Sequence, residues 1–208
     1  MMSNESINNV DEAMLIGYFA SMKSNFLFKL TLISHFLIPG SLRIDTSNIN
    51  MSLASEVVSR FNGDLFLRAL KKGNQELTQN FLDDIVTSLI TSSWNIFEQI
   101  TKDLIKPNYS NSNNEMTLCY THKQFEFNKT EKKNIELFHY IRNAICHHNG
   151  AFFASKDIDH HYKGSYFKSK GHIGEKITID LKISWSIACD LESYTEKAWT
   201  NFKKNQEN

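Results

Sequence analysis

The sequence predicts an all-α protein, a four-to-five-helix bundle with short connecting helices and one small β-hairpin between the third long helix and the C-terminal helix. Its 208 residues include only 2 prolines and 8 glycines, too few chain breakers for a turn-dense β-sandwich. A content of 41% hydrophobic and 22% charged residues is typical of a globular protein with a buried core. No internal repeat or domain-scale linker interrupts the chain, so residues 1–208 are expected to form a single domain.

Four long helices are predicted from apolar residues that recur at intervals of three and four. They cover residues 11–37, 75–105, 131–148 and 185–203, with shorter connecting helices at 53–61 and 64–71. The first two long helices stop just before the chain breakers Pro39 and Pro107. Thr130 is the expected N-cap of the third, which should end at Asn149-Gly150, residues that favour a left-handed cap.

The β-hairpin is expected at about residues 160–183. Residues 176–183 alternate strictly between polar and apolar side chains, which is typical of a half-buried strand. Residues 164–167 are the expected partner strand, and the glycines within 170–174 are expected to form the turn. This hairpin is the only β-structure that the pattern predicts.

The same region has an excess of positive charge, although the whole chain is neutral with 23 basic and 23 acidic residues. Within 160–176, where Glu175 is the single acidic residue, lysines are interleaved with Tyr162, Tyr166 and Phe167. Basic and aromatic side chains together can hold a single-stranded RNA backbone and stack on its bases. Lys163, Lys168 and Lys170 are therefore the candidate RNA-binding residues. The alternative is a solvated hairpin whose lysines discourage edge-to-edge aggregation.

Composition also bears on compartment and cofactors. The chain has 3 cysteines, an odd and sparse set that favours reduced thiols over a disulfide framework. No signal-peptide pattern and no uninterrupted apolar run of about 20 residues is present. We therefore expect the protein to be cytoplasmic and to have no membrane partner. Phosphate-loop and dinucleotide-binding glycine motifs are missing, and no cofactor is expected.

One short segment at the end of the predicted third helix contains several polar and ionisable residues. Residues 141–150 read Ile-Arg-Asn-Ala-Ile-Cys-His-His-Asn-Gly. Asn143 and His147 share a helix face, whereas Arg142 and His147 diverge by about 140° around the axis. We therefore expect no pairing of Arg142 with His147 within one helix. If two copies of the helix cross about a two-fold axis, two arginines and two histidines enter one cleft.

An arginine and a histidine in such a cleft suit the cleavage of RNA. Histidine is the usual general acid or base near neutral pH, and arginine stabilises charge on a phosphoryl group. The nucleophile is the 2′-hydroxyl of the RNA itself, so the reaction needs no metal ion and spares DNA.

Arg142-Asn143-x-x-x-His147, followed by Asn149-Gly150, resembles the R-x4–6-H signature of the HEPN superfamily. The resemblance implies a helical bundle, homodimerisation through the motif helices and, in many members, metal-independent endoribonuclease activity. Members include toxins of toxin–antitoxin pairs, abortive-infection proteins and CRISPR-associated nucleases, so an antitoxin or defence-system partner is implied.

The family's catalytic arginine and histidine correspond to Arg142 and His147, and its frequent polar residue after the arginine corresponds to Asn143. His148 is an additional histidine and a further catalytic candidate. Other members are inactive as nucleases. The alternative function is therefore a non-catalytic helical dimer that binds RNA, a nucleotide or a protein partner.

Two other interpretations concern neighbouring residues. Glu98 of the second helix is a candidate for orienting Arg142 or a histidine, and its alternative is a solvated helix position. Cys119, His122, Cys146 and His147 form a possible Cys2His2 zinc set. Adjacent residues on a helix point about 100° apart, which makes the second half of that set a poor chelate.

Overall fold

The computed structural model describes residues 12–37, 75–105, 123–147, 150–151, 158–169 and 176–206. Long α-helices dominate this part of the chain, and a two-stranded antiparallel hairpin precedes the last helix. The helices are α1 (Glu12–Leu37), α2 (Gln75–Ile105), α3 (Lys129–His147) and α4 (Leu181–Gln206). The strands are β1 (Asp159–Tyr162) and β2 (Ser165–Lys168). The predicted helical class and the position of the hairpin are confirmed, while the predicted helices at 53–61 and 64–71 lie outside the described residues.

The centre of the helix packing is α2, which contacts α1, α3 and α4 and meets α4 most extensively. Apolar stripes of three helices meet there, and their members have almost no exposed surface. They include Leu89, Ile90 and Phe97 of α2, Phe138 and Ile141 of α3, and Leu191 and Phe202 of α4. Burying a side chain of this size contributes about 1.5–3 kcal/mol, so this stripe contact is the main source of stability.

A charged contact and an aromatic contact join α1 to α4. The buried Lys23 forms an ion pair with Glu192, and its ammonium lies 5.7 Å from the centre of the Trp185 ring. Phe26 stacks on the same indole at 5.5 Å between ring centres. A lysine is rarely buried unless it is paired, so this ion pair specifies how α1 docks.

The start of α3 differs from the prediction. Asn128, not Thr130, caps the helix, because Asn128 Oδ1 accepts hydrogen bonds from the backbone N–H groups of Thr130 and Glu131 at 2.9 and 3.0 Å. Glu131 in turn accepts a bond from the Asn128 backbone N–H at 2.7 Å. This reciprocal pair is a capping box. Both residue types are good caps, and only the path of the chain before the helix decides between them.

The end of α3 agrees with the predicted glycine termination. Gly150 has a φ of 79°, in the left-handed region that glycine adopts without steric cost. Its N–H donates to the Ala144 carbonyl at 2.9 Å, a bond that spans six residues and closes the last turn. His148 and Asn149 lie outside the described residues.

The hairpin is shorter than predicted and has a different register. Asp159 pairs with Lys168 and Tyr162 with Ser165, so the turn is Lys163-Gly164 rather than 170–174. Both turn residues have positive φ, 48° and 88°, which is the two-residue turn whose twist matches the strands.

The predicted strand at 176–183 is wrong. Lys176 forms a single bridge with Ala151, residues 177–180 have no regular structure, and α4 begins at Leu181 rather than at 185. Asp180 Oδ1 accepts a bond from the Ile183 backbone N–H at 2.7 Å and so caps α4. The alternating pattern arises because burial alternates from residue 177 into the first turn of α4, where Ile177 and Ile179 are half-buried and Leu181 and Ile183 are buried.

Candidate functional site

The last two turns of α3 bring Arg142, Asn143 and His147 together. Arg142 Nη1 donates to Asn143 Oδ1 at 2.9 Å and lies 3.1 Å from His147 Nε2. The expectation that Arg142 and His147 diverge within one helix is therefore wrong. The two residues do point about 140° apart around the helix axis, but the long arginine side chain spans the difference.

The contact constrains the histidine chemically. Arginine carries five N–H donors and no acceptor, so a hydrogen bond with it requires a lone pair on His147 Nε2. His147 is exposed, and a substrate reaching the end of α3 can meet its ring.

The Arg142 guanidinium is incompletely satisfied. Its Nε is buried and has no hydrogen-bond partner among the described residues. A buried donor without a partner costs about 1–3 kcal/mol. An anion that pairs with the whole guanidinium would relieve this cost.

Glu98 of α2 lies within the electrostatic reach of Arg142. Its carboxylate accepts a bond from Trp94 Nε1 at 2.9 Å and pairs with Lys102 at 2.8 Å. Burial acts to raise the pKa of Glu98. The hydrogen bond and charge of Lys102, the Trp94 indole and the Arg142 charge together outweigh it and lower the pKa below its ordinary value. Glu98 is thus an ionised neighbour of Arg142 whose two oxygens are held by Trp94 and Lys102.

His139 is a member of this cluster that the sequence analysis did not single out. Its ring meets Trp94 edge to face, with 5.3 Å between ring centres. Burial lowers the pKa of His139; the Arg142 charge acts in the same direction, and Glu98 and Glu136 oppose it. The sequence signal for His139 is its spacing of three residues from Arg142, which places both residues on one face of the helix.

The possible zinc set is only partly described. Cys119 and His122 lie outside the described residues, whereas Cys146 is exposed and its sulfur lies 3.5 Å from Thr91 Oγ1. In the part of the chain that the structure describes, no group of three His, Cys, Asp or Glu side chains is placed to hold a metal ion.

The hairpin presents only some of its predicted RNA-binding groups. Lys163 and Lys168 are exposed, with Lys163 Nζ 3.9 Å from Asp190, while Lys170 lies outside the described residues. Tyr162 and Phe167 are buried in the core and cannot stack on bases, a correction to the sequence interpretation. They face inwards because β1 and β2 alternate sides, and one side must cover α3.

The hairpin is fixed to the helix that carries the motif. His160 Nε2 donates to Asn134 Oδ1 of α3 at 2.7 Å, and the Tyr162 ring meets Phe138 edge to face at 4.9 Å. Phe138 precedes Arg142 by four residues, a rise of about 6 Å along the axis. The hairpin and the Arg142 cluster therefore share one rigid element.

No helix among the described residues is both long and apolar enough to cross a membrane. No family model, curated protein or solved structure matches the chain.

Proposed function

We propose that this protein is a dimeric, metal-independent endoribonuclease of the HEPN type that cleaves single-stranded RNA through the substrate's own 2′-hydroxyl. The observation that carries the proposal is the Arg142–His147 contact at the end of α3, with Asn143 on the same guanidinium. It supports the proposal because the phosphate-binding group and the proton-transfer group of the motif lie side by side. The proposed biological role is that of a cytoplasmic toxin or phage-defence effector restrained by an antitoxin or defence-system partner.

The proposed reaction uses two histidines and two arginines, one of each from either copy of α3. One His147 removes the proton from the 2′-hydroxyl, whose oxygen attacks the adjacent phosphorus. The bond to the 5′-oxygen breaks, and the other His147, protonated, donates a proton to that oxygen. Arg142 stabilises the phosphorane charge between these steps. The products are a 2′,3′-cyclic phosphate and a 5′-hydroxyl.

Substrate binding would also release His147 from Arg142, so that it can act as the general base. Without substrate, the lone pair of His147 Nε2 is engaged by Arg142. A phosphate group binds arginine through two parallel hydrogen bonds and would draw the guanidinium away. His147 Nε2 is then available to the 2′-hydroxyl, and the unpartnered Arg142 Nε gains an acceptor. Asn143 is expected to steady the guanidinium in both positions.

The test is cleavage of an end-labelled single-stranded RNA in EDTA, with the equivalent DNA as the control substrate. We expect a 2′,3′-cyclic phosphate product and no cutting of DNA. Arg142→Ala and His147→Ala should abolish cleavage and leave the melting transition nearly unchanged. Lys204→Ala, an exposed cation at the other end of the bundle, is the matched control and should retain activity.

Mixing the two inactive variants tests the composite site, since activity that returns must come from residues shared between two copies. A requirement for Mg²⁺, or cleavage that survives His147→Ala, would contradict the mechanism. RNA binding without cleavage would instead support the non-catalytic helical dimer.

A further inference from the structure

The two faces of the β1–β2 hairpin have different surroundings. The register places His160 opposite Phe167, and Tyr162 opposite Ser165, on the face that covers α3 and α4. The other face carries Asp159 opposite Lys168 and His161 opposite Tyr166. All four of these outer residues are exposed, so the outer face is open to solvent.

An aromatic pair occupies the centre of this outer face. The His161 and Tyr166 rings stack nearly parallel, with 4.5 Å between centres and 25° between planes. Tyr166 is 49% exposed even so, one of the few large hydrophobic side chains described as exposed. A nearly parallel stack with one ring open is the arrangement on which a further flat ring can be added.

The Tyr166 ring is held in place by its hydroxyl. It donates to Asp159 Oδ1 at 3.0 Å, diagonally across the two strands. The hydrogen bond and the stack on His161 together limit the rotation of the side chain. A ring held in advance loses less conformational entropy when a ligand stacks on it.

A lysine lies beside the ring pair on the outer face. Lys168 is two residues from Tyr166 on β2 and is exposed. Lys163 of the turn is exposed too, but its ammonium lies 3.9 Å from Asp190 of α4, on the side of the hairpin that covers the helices. Asp159, the acidic residue opposite Lys168, accepts the hydrogen bond from Tyr166. An exposed lysine beside an aromatic surface matches a polyanion that carries flat bases.

We infer that the Tyr166–His161 pair is a base-stacking subsite for single-stranded RNA, with Lys168 on the same face for its phosphates. The inference rests on the proposed function for the identity of the substrate. It adds a second point of attachment, on an element fixed to α3 one turn before Arg142, and so positions the strand along the motif helix.

The test measures binding in a background that does not cleave. Fluorescence anisotropy with a labelled oligoadenylate of about 12 nucleotides is recorded for His147→Ala, alone and combined with changes at Tyr166. Tyr166→Ala should weaken binding by about 5- to 150-fold, the range for loss of one base–aromatic stack. Tyr166→Phe and Tyr166→Trp should weaken binding much less than Tyr166→Ala, because each keeps a flat ring and loses only the hydroxyl bond to Asp159. Phe28→Ala removes an aromatic side chain with the same 49% exposure on α1 and should leave binding unchanged.

A salt series separates stacking from charge. Tyr166→Ala should leave the slope of log Kd against log salt unchanged, whereas Lys168→Ala should lower it by about one phosphate contact. Thermal unfolding of each variant checks that the hairpin change has not unfolded the protein, and His161→Ala, which leaves Tyr166 in place, should give a smaller loss of affinity.

Equal affinity of Tyr166→Ala and its parent would overturn the subsite and leave the outer face as a surface for a protein partner. Failure of the parent to bind RNA would overturn it too. If Tyr166→Ala weakens RNA binding but the wild type does not cleave RNA, the subsite is upheld and the proposed nuclease activity is refuted.

Discussion

Arg142 Nη1 lies 3.1 Å from His147 Nε2, five residues further along the same helix. Because the arginine can only donate, the contact uses a lone pair of His147 Nε2. In the proposed mechanism, an RNA phosphate separates these two groups before either of them acts.

Replacing Arg142 by lysine tests whether the site requires the planar guanidinium or only a positive charge. We expect Arg142→Lys to lower the rate of RNA cleavage by about 10²–10³, because a single ammonium cannot make two parallel bonds to a phosphate. Single-turnover cleavage in EDTA measures this. Lys204→Arg is the reverse exchange at an exposed position and should have no effect. Full activity of Arg142→Lys would show that positive charge alone is sufficient.

The proposed composite site requires two copies of the chain. Light scattering should give about 48 kDa in solution, twice the 24.1 kDa chain mass. Ile145 is only partly buried in one chain, beside Asn143 and Cys146 at the end of α3. We expect Ile145→Asp to yield monomers, because pairing would bury an unpaired carboxylate. Thr130→Asp, exposed at the opposite end of α3, should remain dimeric. A monomeric wild type at micromolar concentration would contradict the shared site.

The cap of α3 gives a second pair of matched variants. Asn128→Ala should destabilise the protein by about 1 kcal/mol, since it removes the acceptor of two backbone N–H groups. Thr130→Ala, two residues later and exposed, should change the free energy of unfolding by less than about 0.5 kcal/mol. Denaturant unfolding compares the two, and equal losses would argue against Asn128 as the cap.

The Lys23–Glu192 pair should contribute more than an ordinary surface pair. The side chain of Lys23 is 3% exposed and that of Glu192 20%, so Glu192→Gln removes the negative charge that faces a buried ammonium. We expect a loss of about 3–5 kcal/mol in the free energy of unfolding. Glu196→Gln makes the same substitution at an exposed site one turn further along α4 and is the control. A similar small loss in both variants would mean that α1 does not dock through this pair.

Stability should depend on pH through His139. Burial, the largest effect, lowers the pKa of this histidine below its ordinary value of 6.5. The unfolded chain therefore binds a proton more readily, and protonation favours unfolding. The free energy of unfolding should be highest above pH 6.5 and fall as the pH decreases from 6.5 to the lowered pKa. His160, whose pKa is also lowered by burial, acts in the same direction.

Urea unfolding between pH 5 and 8 checks this dependence. His139→Gln should show a weaker pH dependence than the wild type. Asn95→Ala, an exposed change on α2 that involves no titratable group, should show the same dependence as the wild type. An unchanged pH profile in His139→Gln would rule out His139 as its source.

The sequence by itself determined the long helices and the segment that carries the motif. The predicted limits of α2, residues 75–105, agree with the structure, because an unbroken apolar stripe that ends before a proline is a local signal. The glycine at the end of α3 was predictable for the same reason, since a left-handed residue selects glycine whatever surrounds it.

Only the tertiary structure decided the hairpin register, the cap of α3 and the contacts of the motif. Residues 176–183 alternate as a strand would, but burial against the helices places Leu181 and Ile183 in the first turn of α4. Tyr162 and Tyr166 look alike in the sequence, and the pairing of β1 with β2 makes one a core residue and the other an exposed ring. The Arg142–His147 contact depends on rotamers of a long side chain, which helix periodicity does not contain. Local patterns encode where the chain is helical, whereas which side chains meet is set by packing among segments distant in sequence.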